Sequence, residues 1–166
     1  MLEIVKKVRD LQFDELMSVY AEGNLENGKE QYPALSERQQ ILRVEENFYQ
    51  YLVDFFQISG ALYCILTENS HYVSALRLEP YLDGVLLEAL ETRPDMRRHG
   101  YARELIQLVL QHLKEHGSPN VYSHVSKRNV PSLQTHLSCG FQRIKETALY
   151  IDGSVMNNSC TMLFHF

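Results

Sequence analysis

Apolar positions along this chain change their spacing several times, and each change marks an element. Ala102, Leu105, Ile106, Val109, Leu110 and Leu113 recur at i, i+3, i+4, i+7, i+8 and i+11, a stripe that predicts a helix facing a core. Lys114, His116, Gly117 and Pro119 close it. Ile41, Val44, Phe48, Leu52 and Phe55 form a second helical stripe, opened by Ser36-Glu37-Arg38-Gln39, which has the form of a capping box. Leu11, Leu16 and Tyr20 predict a helix within 10–22. Elsewhere the period shortens. "LEIVKKV" (2–8) alternates like a strand, and "ALYCIL" (61–66) is a continuous apolar run suited to a buried strand. "HYVSALRL" (71–78) and "VLLEALET" (85–92) follow the turn-formers "ENS" (68–70) and Asp83-Gly84. "VYSHV" (121–125) is another strand, a short helix is predicted over 129–138, and "FQRIKETALYI" and "SCTMLFHF" predict a hairpin around Asp152-Gly153.

These elements compose one α/β (α+β) domain over 1–166. Strands from 61 to 92 predict an antiparallel meander, and the strand–helix–strand unit ending at 125 predicts a parallel crossover. The polar, Gly-rich segment 23–33 reads as a loop that could sit over a site.

Composition narrows the function class. Hydrophobic residues make up 45% and charged residues 22%, ordinary for a globular chain. The net charge of −5 leaves no general basic surface for nucleic acid or anionic lipid. A negative chain would suit a cationic substrate, although solubility explains the sign equally well. No apolar run has membrane-spanning length, and "MLEIVKKVRD" lacks the apolar centre of a secretion signal. Cys64, Cys139 and Cys160 are odd in number and match no zinc spacing. The expectation is a cytoplasmic protein with reduced thiols, no metal and no membrane partner.

One short basic stretch, "RPDMRRHGYARELI" (93–106), carries the candidate chemistry. Arg97, Arg98 and His99 stand where a helix should begin, although a helix N-terminus disfavours positive charge. An external anion reverses the sign of each term, and the free amides there already favour phosphate. Gly100 and Ala102 are small enough for a ligand to approach the main chain, and arginine offers planar donors to phosphate oxygens. The stretch therefore reads as a diphosphate cradle. Neither G-x-x-x-x-G-K-[ST] nor G-x-G-x-x-G occurs, which argues against a P-loop or a dinucleotide fold.

Arg97-Arg98-His99-Gly100-Tyr101-Ala102 resembles the R/Q-x-x-G-x-G/A signature of the GCN5-related N-acetyltransferases. "LETRPDMRRHG" is similar to the family's L-x-V-x-P-x-x-R-x-x-G, with Thr92 in place of Val, and "VSKRNVPSLQTHLSCGF" is similar to its V-x-x-x-N-x-x-A and Gly-Phe, with Ser132 in place of Ala. The resemblance runs from about 60 to 165. It implies a mixed, mostly antiparallel twisted sheet of about seven strands, flanked by about four helices and splayed between its fourth and fifth strands. It also implies acetyl coenzyme A (acetyl-CoA) as acyl donor, with residues 97–102 at the pyrophosphate and Leu90, Glu91 and Thr92 pairing with the pantetheine arm. A backbone N–H near Leu90 would stabilise the oxyanion. Asn129 and Ser132 would touch the coenzyme, and Asn129 reads equally as a helix N-cap.

Direct transfer to an amine moves two protons. Glu88 is the candidate base, on the expectation that it shares a strand face with Leu90; it could instead be structural or bind substrate. His136 stands where the family often has a Tyr, which leaves the general acid open between His136, Tyr150 and water. His112 and His116 have metal-compatible spacing but read as exposed polar residues. Phe48, Tyr49, Tyr51, Phe55 and Phe56 read as core or as an acceptor pocket, and Cys139 as packing. The expected activity is acetyl-CoA-dependent N-acetyl transfer to a primary amine of a small molecule, peptide or protein. The alternative is a non-catalytic acyl-CoA-binding or regulatory module on the same fold. The chain would act as a monomer or homodimer.

Overall fold

The computed structural model describes residues 1–118 and 120–166; Pro119, the expected helix stop, lies outside the described residues. The chain runs β1 (Leu2–Val5), α1 (Phe13–Val19), α2 (Ala21–Gln31), α3 (Glu37–Phe55), β2 (Leu62–Glu68), β3 (His71–Tyr81) and β4 (Gly84–Thr92). It continues through α4 (Tyr101–Glu115), β5 (Asn120–Ser126), α5 (Val130–Ser138), β6 (Gln142–Lys145), β7 (Ala148–Leu149), β8 (Val155–Met156) and β9 (Ser159–His165). Among the described residues there are five α-helices rather than the four expected.

The additional helix corrects the expected loop at 23–33, because residues 21–31 are α2. One of its glycines is a packing device rather than a breaker. Gly28 lies against α3 so closely that a Cβ there would sit 3.0 Å from Gln40 Cβ, and Asn24, one turn earlier, is buried too. Polarity on the opposite face masked the helix. The Ser36–Gln39 capping box forms as expected, Ser36 Oγ accepting from Gln39 N.

A seven-stranded sheet, ordered β1-β2-β3-β4-β5-β9-β6, separates two apolar layers. On one face Leu105, Ile106, Val109, Leu110 and Leu113 of α4 pack on Cys64, Leu76, Leu87, Val121 and Met162. On the other, Leu16 and Val19 of α1 and Leu52 and Phe55 of α3 cover Tyr63, Ile65, Tyr72 and Ala75. The expected meander is β2-β3-β4, antiparallel throughout, and β4 runs parallel to β5. The expected C-terminal hairpin is interrupted. β7 and β8 pair separately around Gly153, while β9 inserts between β5 and β6. The cysteines are buried and unbridged.

Two features shape the gap between β4 and β5. At one end the strands nearly touch, since a Cβ on Gly84 would lie 2.1 Å from Asn120 O. Tyr122 Oη and Asn120 Nδ2 donate to Asp83 at 2.6 and 2.8 Å and tighten the same end. Pairing then covers Val85–Val121, Leu86–Tyr122 and Leu87–Ser123 and stops. Just beyond, a β-bulge at Ala89 (φ +51) shifts the β3–β4 register. Tyr20 Oη donates to the Ala89 carbonyl at 2.6 Å and accepts from Tyr63 Oη at 2.9 Å, which fixes the bulge.

His136 fastens α5 to β5. It is 1% exposed; Nδ1 donates to Ser132 O (2.8 Å) and Nε2 lies 3.0 Å from Ser123 Oγ. A carbonyl can only accept, so the neutral tautomer carries its hydrogen on Nδ1. Burial pulls this imidazole below its usual range, with the Ser132 carbonyl opposing in part.

Two outcomes are expected from equilibrium urea unfolding. Gly84→Ala should lower stability by about 1–3 kcal/mol, because backbone must move, whereas Gly23→Ala, whose Cβ meets nothing within 4 Å, should be neutral or slightly stabilising. The second outcome concerns pH. The folded chain keeps His136 neutral, so below about pH 6.5 the unfolded chain takes up a proton that the folded one resists. Stability present above that pH is then lost as pH falls. His136→Gln should show a smaller loss between pH 7.5 and 5.5 than the parent chain; an equal loss would exclude His136 as a contributor.

Candidate functional site

Where β4 and β5 part, a cleft of about 1060 Å³ opens between the end of β4, the start of α4 and α5. Leu90, Glu91 and Thr92 line one wall, with Arg97, Arg98, Gly100, Tyr101 and Ala102 at the helix start and Asn129 and Ser132 opposite. Every residue expected at the coenzyme is therefore at the cleft except His99. Its Nδ1 turns instead to Met96 O at 3.2 Å. Sequence reading missed Glu22, Arg103, Gln134, Thr135 and Ser138 on these walls. The i, i+4 spacing of Gln134 and Ser138 follows from the helix, but nothing in residues 21–31 signalled that α2 reaches the cleft.

Helix α4 begins at Tyr101, three residues beyond Arg98, because Gly100 adopts φ +86 as its N-cap. Gly100 supplies no capping side chain, and Glu104 N is the first amide to return, to Gly100 O at 3.0 Å. The amides of Tyr101, Ala102 and Arg103 thus have no intrahelical acceptor. A Cβ at Gly100 would meet nothing within 4 Å. Arg98 is exposed beside this terminus in a left-handed conformation (φ +64). Arg97 is committed elsewhere: its guanidinium pairs with Glu22 of α2 and with Glu91 at 3.1 Å, and Nε donates to Thr92 O at 3.3 Å. Asn129 Oδ1 accepts from Ser132 N at 3.1 Å, the expected N-cap of α5.

The bulge overturns the expected facing of Glu88. An extra residue between them sends Leu90 into the layer with α4, whereas Glu88 turns to the α3 side. There Glu88 Oε2 meets Arg77 Nε and Nη2, each at 3.2 Å, and the Arg77 guanidinium lies 4.8 Å from the centre of the Tyr51 ring. Glu79 is buried on the same face, and desolvation, then the Glu88 carboxylate, push it up to about 7. Arg77 thus pairs with Glu88 and offsets the charge of Glu79 only in part. His136, the other expected catalytic residue, belongs to the α5 anchor and does not line the cleft. Tyr150 lies next to His124 on β5, ring centres 5.0 Å apart, and His124 also meets Tyr81 at 5.4 Å.

Sequence reading missed Arg77, Glu79 and His124. A signal existed for all three: charged or polar residues at every second position of otherwise apolar strands, "ALRLEPY" and "VYSHV". His112 and His116 lie at the end of α4 with ring centres 4.1 Å apart and planes tilted by 35°. Among the described residues no group of three or more His, Cys, Asp or Glu could hold a metal ion, and no helix is long and apolar enough to cross a membrane.

Comparison with known proteins agrees with this architecture. A search of curated sequences gave no match. Among solved structures, PaiA N-acetyltransferase of Thermoplasma acidophilum, in complex with coenzyme A, superposes with a TM-score of 0.69 at 16% identity, over 100% of this chain and 99% of that one. Ribosomal-protein-alanine N-acetyltransferase of Brucella melitensis gives 0.67 at 14%, over 100% and 99%. An acetyltransferase of Streptococcus agalactiae gives 0.68 at 15%, over 99% and 98%. At such identities the likeness is one of fold. Membership is carried by sequence: the acetyltransferase (GNAT) family's profile matches residues 25–141. The chain belongs to the acetyltransferase (GNAT) family.

Proposed function

We propose that the chain is an acetyl-CoA-dependent N-acetyltransferase that acts on a primary amine of a small molecule, peptide or protein. One observation carries the reading: the edge of β4 beyond Leu87, left unpaired by β5, lines the same cleft as an uncapped helix N-terminus. An extended, amide-bearing chain ending in a diphosphate fits that sequence of surfaces. Residues 90–92 offer main-chain groups to its amides, while Arg98 and the amides of Tyr101, Ala102 and Arg103 receive its phosphates. The open space at Gly100 accepts their bulk. Asn129 and Ser132 form the opposite wall. Acetyl-CoA, when bound, supplies an activated acyl group.

The α3 side of the gap receives the amine. Glu79 and Glu88 against the single Arg77 leave that surface electronegative, suited to an ammonium group. Because Glu88 is held by Arg77, its role in this reading is to seat the ammonium, the substrate-binding alternative to acting as base. An N–H of the bulged segment polarises the acyl carbonyl as the amine attacks.

Acetyl-CoA should raise the melting temperature, and a panel of primary amines should include at least one that releases free thiol. A shift with no thiol release would instead favour a non-catalytic coenzyme-binding module. Arg98→Glu should weaken coenzyme A binding at least about tenfold by calorimetry, about 1.4 kcal/mol or more; unchanged affinity would reject this placement of the phosphates. Glu88→Gln should raise KM for the amine about tenfold with a smaller change in kcat, read from initial rates.

A further inference from the structure

His124 is anomalous in its surroundings. Both of its ring nitrogens are buried without a hydrogen-bond partner, and no other buried side-chain nitrogen or oxygen among the described residues is in that position. Two neighbouring hydroxyls are spent elsewhere: Tyr81 Oη donates to Leu149 O at 2.5 Å and Tyr122 Oη to Asp83. Buried polar atoms without partners are costly, and they persist where a ligand completes them.

Its position says which ligand. Leu86 stands opposite Tyr122 in the parallel ladder. Two residues further along each strand come Glu88 and His124, on that same face and just past the last paired residues. They flank the mouth of the gap, where the amine and the acyl carbon would meet. Tyr81 from β3 and Tyr150 from the β7–β8 turn hold the imidazole edge-on, at interplanar angles of 86° and 64°. Arg77 and Glu79 of β3 and Glu88 of β4 are the charged groups on this face.

We infer that His124 is the catalytic base of this chain, one ring nitrogen taking a proton from the ammonium seated by Glu79 and Glu88. The inference rests on the transferase reading above. The freed amine nitrogen forms a bond to the acyl carbon, and the carbon–sulfur bond breaks with its electron pair leaving on sulfur. The second proton shed by nitrogen passes to that sulfur, and His124 returns its own proton to solvent. One ammonium and one thioester thus give one amide, one thiol and one proton. Burial keeps His124 below the usual imidazole range, so the ring is neutral and able to accept near neutral pH, while Glu88 favours the imidazolium once formed.

The test uses the amine that releases thiol fastest. His124→Gln should lower kcat about 10²-fold or more, with KM changed less than about threefold. Coenzyme A should still raise the variant's melting temperature as in the parent, which separates lost chemistry from lost folding. Added imidazole should restore part of the rate to His124→Gly. In the parent, kcat should fall on an acid limb below about pH 6.5; Glu79→Gln should keep that limb and His124→Gln should lose it. Retained kcat in His124→Gln, or a limb near pH 7 that vanishes in Glu79→Gln, overturns the inference while leaving the transferase reading intact. Failure of every amine to release thiol overturns both.

Discussion

Three residue pairs join β4 to β5, and the architecture of the site follows from their stopping there. A parallel ladder extended to Thr92 would bury the main chain of both strands and leave no cleft. Extension is opposed at both ends. Gly84 lets the backbones converge on Asn120, which fixes the pivot, and the Ala89 bulge displaces β4 from the register that further pairing requires. A non-glycine residue at positive φ is strained by about 1–3 kcal/mol. The Tyr20 hydroxyl on the Ala89 carbonyl, backed by Tyr63, is the contact that holds it.

The two faces of the sheet then divide the chemistry. Toward α4, the gap meets bare amides and Arg98, a surface for anions. Toward α3, it meets carboxylates, tyrosines and an unpartnered imidazole, the surface proposed above for a cation and its proton. Arg77 is central to the second surface. It pairs with Glu88 and its guanidinium faces the Tyr51 ring, while Glu79 feels it only in part, against burial and the Glu88 carboxylate. Residues expected to be core or acceptor pocket accordingly divide: Phe55 is buried in the layer beneath the sheet, whereas Tyr51 reaches this polar face.

Strong periodicity made most of the fold legible. The stripes of α3 and α4, the apolar run of β2 and the turn at Asp83-Gly84 could be placed because burial imposes a period that side chains must obey. Segment 23–33 could not, since α2 buries chiefly Asn24 and a glycine, and neither registers as apolar. The cleft's basic rim was readable because its chemistry is contiguous in sequence. The face proposed for the acceptor was not. Arg77, Glu79, Glu88 and His124 come from three strands, and only the bulge, caused by no special residue type, decides which way Glu88 points. His136 misled for the opposite reason, since a helix histidine read as potentially reactive is wholly engaged in anchoring.

Tyr20 and Glu22 lie two residues apart, yet the first touches the bulge and the second reaches the guanidinium of Arg97 at the cleft rim. This short segment is a tie-rod between the two halves of the site. Any anion that draws Arg97 away slackens one end while the other stays fastened to Ala89. The rim and the bulge are therefore joined through the start of α2, whose Glu22 itself lines the cleft.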